Sequence, residues 1–159
     1  MTTLRIASLA VCSLLAACGQ NQQPTPSERE TDIAAIAAVN ERILGALNSG
    51  DWAKLNELTD ADYVAIIGGR PIQGKAQLEA ANQRFLEQWR DQEQWLPDET
   101  IIDGDLAVQR GSFTMTLTPR AGGGGPRDLA GTYLHIYQRK PDGSWALTRA
   151  MAGEEAARD

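Results

Sequence analysis

Hydrophobic positions along the chain change period partway through. From Ile33 they recur at helical spacing, through Ile36, Ile43, Leu44 and Leu47, until Gly50 interrupts them. Ser27, with Glu30 three residues on, has the pattern of a capping box and predicts the start of this first helix. Asp51 is placed to cap a second, short helix with Trp52, Leu55 and Leu58 on its apolar face. The segment DYVAII, residues 62–67, is β-branched and aromatic, which predicts a strand that Gly68-Gly69 ends. A third helix is expected from about Lys75 to Arg90, with Leu78, Ala81, Phe85 and Trp89 on one stripe.

Beyond that point the period is two. A strand is expected to end at Ile101-Ile102, with a hairpin turn signalled by Asp103-Gly104. A long strand follows from about Leu106 to Leu117, then a Gly-rich loop at residues 119–128. LAGTYLHIYQRK forms the next strand and ends in Pro141-Asp142-Gly143, which suits a type I turn with a bulge. Ser144 to Met151 makes the last strand. The pattern predicts an α+β fold: three N-terminal helices around one early strand, then a four-stranded antiparallel meander with the helices on one face.

The first residues follow a different pattern. A single charge, Arg5, precedes an apolar run from Ile6 to Ala17, too short to span a bilayer and shaped like a secretory signal. Its end, Leu15-Ala16-Ala17-Cys18, resembles the bacterial lipoprotein cleavage box, in which the cysteine is lipidated and becomes the mature first residue. The expected organisation is therefore a signal at 1–17, lipidated Cys18 and a polar, Pro-containing tether at 18–27, one domain at 28–152 and a polar tail at 153–159. Gly19 stands where many inner-membrane lipoproteins carry aspartate, so the expected address is the outer membrane, facing the periplasm.

Composition narrows the chemistry. The chain has 159 residues and 42% hydrophobic composition, which suits one domain with a core. A net charge of −6 argues against nucleic-acid binding, which needs a basic face. The chain has two cysteines; Cys12 leaves with the signal and Cys18 becomes the anchor, so no thiolate site is expected. One histidine rules out a multi-histidine zinc site, and no metal or cofactor is expected. Gly69 and Gly74-Lys75 have the spacing of a phosphate-binding loop. Ala76 stands where Ser or Thr must hold Mg²⁺, and Pro71 removes an N–H from the loop, so this segment reads as a turn instead. His135 lies mid-strand, on one face with Tyr133 and Tyr137, while Leu134 and Ile136 point the other way. Alternation alone leaves open which of the two faces is inward.

The order of elements, with SGDWAKLNELTDADYVAI, GGRPIQGKAQL, GDLAVQRGSFTMTLTP, GTYLHIYQRKPDGSW and ALTRAM, resembles the nuclear-transport-factor-2-like superfamily over about residues 28–152. That group includes ketosteroid isomerases and SnoaL-type cyclases. The resemblance implies a cone, in which a strongly bent antiparallel sheet wraps three helices around an apolar pocket. It implies a pocket drawing on Tyr63, Trp89, Phe113, Met115, Tyr133, His135 and Tyr137, with His135 as the candidate catalytic group. Trp95, close to Pro97, is expected at the pocket mouth or in a dimer contact. The isomerases' first-strand base has no counterpart, because that strand reads Ala65-Ile66-Ile67, and the first helix has no tyrosine to serve as an oxyanion donor. Three readings follow. The first is a lipid-anchored domain that binds a small apolar molecule. The second is a cyclase- or isomerase-type enzyme with His135 as acid–base group. The third is a module whose outer sheet face forms a homodimer or docks on an envelope partner.

Overall fold

The first helix, α1 (Pro26–Ser49), begins at an earlier cap than Ser27. Thr25 Oγ1 accepts from the Glu28 N–H at 3.3 Å, and the Glu28 carboxylate accepts from the Thr25 N–H at 2.8 Å. Pro26, with its fixed φ, takes the first helical position, which favours this cap over the Ser27–Glu30 pair. The computed structural model describes residues 25–122 and 124–155. The signal, Cys18 and the tether up to residue 24 lie outside the described residues. Helix α2 (Trp52–Leu58) is capped by Asp51 as expected, its side chain accepting from the Lys54 N–H at 2.9 Å.

Strands β1 (Val64–Ile67) and β2 (Arg70–Gln73) form a hairpin whose turn is Gly68-Gly69, both at positive φ. Helix α3 (Gly74–Gln88) follows directly. The glycines that suggested a phosphate loop thus form a β-turn and a helix start. Strands β3 (Trp89–Asp103), β4 (Leu106–Pro119), β5 (Arg127–Arg139) and β6 (Trp145–Glu154) form the expected antiparallel meander. The six strands make one curled, unclosed sheet in the order β2-β1-β6-β5-β4-β3. The fold is α+β, with the helices laid in the sheet's concave face, and α1 packs against β3 and β6.

Three expectations are corrected. The sheet is not wholly antiparallel, because β1 joins it parallel to β6, Ala65 opposite Ala150. Helix α3 stops before Trp89, which opens β3 and pairs with Pro119. The fourteen-residue β4 needs a partner along its whole length, and that need overrides the helical stripe that seemed to include Trp89. Finally, the last strand, expected to end at Met151, runs on to Glu154.

Two glycines shape the concave face. At Gly111 a Cβ would lie 2.3 Å from the Leu96 carbonyl and 2.8 Å from the Tyr133 hydroxyl. At Gly131 it would meet the Gly153 carbonyl at 2.1 Å and the Phe113 ring at 2.7 Å. Each glycine lies opposite the aromatic that covers it, Gly111 against Tyr133 and Gly131 against Phe113. The missing side chains let the sheet bend sharply, and the aromatics fill the gaps. On the opposite face, Ile66, Met151 and Leu134 form an exposed row across three strands.

The narrow end of the cone is closed by Asp32 of α1. Arg139 donates to both its oxygens at 2.7 Å, and Trp145 Nε1 donates to one at 3.1 Å. The guanidinium also stacks 4.3 Å over the Trp145 ring. This clasp ties α1 to both arms of the β5–β6 hairpin. A second ion pair, Lys140 with Asp60, ties the same turn to the segment before β1.

Candidate functional site

The inner face of the sheet is read most easily as rows across the strands. At the closed end the first row is apolar, with Ile102, Ala107, Tyr137 and Leu147. The next row is Thr100, Gln109, His135 and Ala150; three of the four are polar, and Gln109 and His135 are buried. Asn40 of α1 completes it. Tyr137 donates to Asn40 Oδ1 at 2.6 Å, Asn40 Nδ2 donates to Gln109 Oε1 at 2.8 Å, and Gln109 Nε2 donates to Thr100 Oγ1 at 3.0 Å. Tyr133 donates to Gln109 Oε1 at 3.3 Å. Four elements are joined through side chains whose amide groups are all matched, the condition under which a buried polar network is tolerated.

The network fixes the state of His135. Its Nδ1 lies 3.3 Å from the Tyr137 hydroxyl. The single hydrogen of that hydroxyl is directed to Asn40, so its oxygen accepts from His135 and the imidazole proton sits on Nδ1. Nε2 then carries the lone pair, without a hydrogen-bond partner among the described residues. Burial presses the imidazolium pKa down to about 3, so the ring is neutral throughout the physiological range. Trp95 meets the ring edge-on, centroids 4.6 Å apart, and Tyr133 lies 4.3 Å away.

From this row outward the helices and sheet separate around a cavity of about 220 Å³. Its helical wall is Ile43, Leu47, Leu55, Leu58 and Leu78, all aliphatic, with Asn82. Its sheet wall carries the aromatics Trp95, Phe113, Tyr133 and His135, with Met115, Leu129 and Leu147. Tyr63 enters from the loop before β1, its phenol pKa pushed up to about 12 by burial and by the nearby Glu93 charge.

Glu93 is the one acid set into the sheet wall; Glu154 lines the cavity at the exposed end of β6. The Glu93 backbone is held on the open edge of β3 by Asn48, at the end of α1. Asn48 Oδ1 accepts from the Glu93 N–H at 2.7 Å, and Asn48 Nδ2 donates to the Glu93 carbonyl at 2.9 Å. A single side chain thus satisfies edge groups that another strand would otherwise pair. It also fixes where the carboxyl points. Trp95 Nε1 donates to Glu93 Oε1 at 2.7 Å; Oε2 has no hydrogen-bond partner among the described residues. Burial raises the Glu93 pKa to about 7, against the lowering effect of the indole N–H.

A sequence profile for the SnoaL-like domain matches residues 40–148, most of the chain from α1 to β6. The chain belongs to the SnoaL-like domain family. It is also similar to a conserved protein from Planctomyces limnophilus DSM 3776, with 30% identity over 80% of this chain and 100% of that one, at a TM-score of 0.72. A nuclear transport factor 2-like superfamily protein from Salmonella enterica serovar Typhimurium LT2 shares 14% identity over 82% and 96% of the two chains, at a TM-score of 0.73. A hexachlorocyclohexane dehydrochlorinase, LinA type 2, shares 17% identity over 83% and 90%, at a TM-score of 0.72. At those last two identities the likeness is one of fold. No curated protein matches the chain.

Within this SnoaL-like domain, five of the residues expected at the pocket line the cavity: Tyr63, Phe113, Met115, Tyr133 and His135. The strand face shared by Tyr133, His135 and Tyr137 is the inward one, and Leu134 on the other face is exposed. Two expected residues fall elsewhere. Trp89 is in β3 under the Arg127 guanidinium, 4.7 Å away, because the helix ends before it. Tyr137 is fully buried behind His135 and joins the polar row. Trp95 lines the cavity. The residues that were missed are Glu93 and the amides Asn40, Asn48 and Gln109. The first strand does lack an acid; the carboxyl reaches the cavity from β3 instead. Trp89, Asp91, Glu93 and Trp95 alternate on one side, and that spacing was the available signal.

Proposed function

We propose that the domain binds a small, largely apolar molecule in the cavity between its helices and sheet. One observation carries this reading: a cavity of about 220 Å³ walled mostly by aliphatic and aromatic side chains, with few polar groups among them. Well-packed cores leave few voids larger than a water molecule, so a space of this size is a feature to be filled. The sequence adds an address. The Leu15-Ala16-Ala17-Cys18 box supports a lipid anchor at Cys18, which would hold the domain at the envelope, facing the periplasm.

The test is native mass spectrometry of protein purified from its own host, with thermal shift across a hydrophobic ligand panel. A co-purified small molecule, or a rise in melting temperature with panel members, is the expected result. Empty protein with no shift overturns the reading. For the anchor, Cys18→Ser should move the protein from the membrane to the soluble fraction; continued lipid labelling would refute it. An acid–base role for His135 finds less support, because burial lowers its pKa to about 3 and makes the imidazole a weak proton acceptor, and its Nδ1 is tied to Tyr137. The exposed Ile66–Met151–Leu134 row keeps a homodimer in view, and sedimentation of Leu134→Lys against the parent protein tests it.

A further inference from the structure

Among the described residues, the cavity lining holds two carboxyl groups and no cation. None of its lining residues is a lysine or arginine, and its acids are Glu93 and Glu154. One Glu93 oxygen takes the Trp95 indole N–H, and the other has no partner among the described residues. Buried charges in proteins are paired, or they neutralise. Two hydrogen bonds between Asn48 and the Glu93 backbone hold this residue in place, with one carboxyl oxygen left without a partner among the described residues.

We propose that the cavity takes an apolar molecule bearing a protonated amine, with the ammonium group against the free oxygen of Glu93 and the rings of Trp95 and Tyr63. This rests on the reading of the cavity as a small-molecule site. Trp95 and Tyr63 line the cavity, and rings of these types favour a cation. An anionic ligand would meet Glu93 and Glu154 with no base to offset them. A neutral hydroxyl could bond to Glu93 but would leave its charge uncompensated.

The pH dependence follows. Burial places the Glu93 pKa at about 7, against an ordinary 4.5. Among the groups around Glu93 are Asp91 on its own strand, Tyr63 before β1, Tyr133 and neutral His135 on β5, and Glu154 on β6. The helices contribute aliphatic side chains and the amides Asn48 and Asn82. An ammonium group favours the ionised carboxylate and itself stays protonated. Binding below about pH 7 must therefore displace the Glu93 proton, and affinity should fall about tenfold per pH unit there.

The experiment is calorimetry of the purified protein with three matched probes: naphthylmethylamine, naphthylmethanol and naphthoate. The amine should bind at least about tenfold more tightly than the alcohol at pH 8, and the acid should bind least. Near pH 6, amine binding should release a proton, seen as a heat that depends on the buffer. Glu93→Gln, which keeps the acceptor for Trp95, should bring the amine down to the level of the alcohol. If the variant does not fold, proton release by the parent protein decides the matter. An alcohol that binds as tightly as the amine, or an amine that binds without proton release near pH 6, overturns the proposal and leaves the cavity reading standing. No binding by any probe overturns both.

Discussion

Asp32 and Glu93 are two inward carboxyl groups in one small domain, and each accepts an indole N–H. Asp32 takes Trp145 Nε1 and Glu93 takes Trp95 Nε1. They differ in one partner. Asp32 has the Arg139 guanidinium on both oxygens, which holds its pKa below the ordinary range despite burial. Glu93 has no cation beside it among the described residues, and burial pushes its pKa up to about 7. The first site is complete within the fold and ties a helix to a hairpin. The second has no partner of opposite charge among the described residues. Electrostatic completeness therefore separates a group that serves the fold from one available for function more clearly than burial does.

The largest effect expected from this contrast is at Asp32. Asp32→Ala leaves Arg139 facing only the exposed Asp105, 3.2 Å away, and leaves the buried Trp145 N–H unpaired. Removing one member of such a pair should cost about 3 kcal/mol. Urea unfolding at neutral pH measures it. A loss under about 1 kcal/mol would place the clasp with ordinary surface pairs and dissolve the contrast.

Glu93 should respond in the opposite direction. Its folded pKa lies above the unfolded value, so the native state holds the proton more tightly. That contribution is present in full below about pH 4.5 and is lost as pH rises through about 7. Glu93→Gln should therefore make the empty protein more stable at pH 8, by about 1–2 kcal/mol once the solvent in the cavity is allowed for. At pH 4 the two proteins should match. Equal stability at pH 8 would mean that the fold already compensates this carboxylate. For Asp32 the sign is reversed: its contribution is present above about pH 4 and is lost as pH falls.

The two sites also differ in how far the sequence showed them. The meander was legible because β4, β5 and β6 alternate apolar and polar residues, and the Tyr133–His135–Tyr137 face could be grouped before its direction was known. The first half of β3, Trp89 to Trp95, was not. Its inner face carries Asp91 and Glu93, so the apolar alternation that marks a half-buried strand is absent there. The helical stripe of α3 also runs on into Trp89 without a breaker. A strand that places acids inward is masked by the same property that suits it to a site. Asn48 was invisible for another reason: it pins a strand 45 positions away, a relation no local pattern encodes. Asp32 and Arg139 are farther apart still, at 107 positions.

The smallest effect separates charge from geometry at the completed site. Arg139→Lys keeps a cation beside Asp32 but replaces a planar fork with a point charge. It loses one of the two parallel hydrogen bonds and the flat stacking on Trp145, 4.3 Å away. The expected cost is about 1 kcal/mol. Because a cation remains, Asp32 should stay ionised at neutral pH, and the loss of stability in acid should keep its position. A loss as large as that of Asp32→Ala would mean that the fork itself, rather than its charge, closes the narrow end of the cone. The contrast with Glu93 would then lie in bidentate geometry, and an ammonium ion in the cavity, itself a point charge, would be a weaker complement than Arg139 is to Asp32.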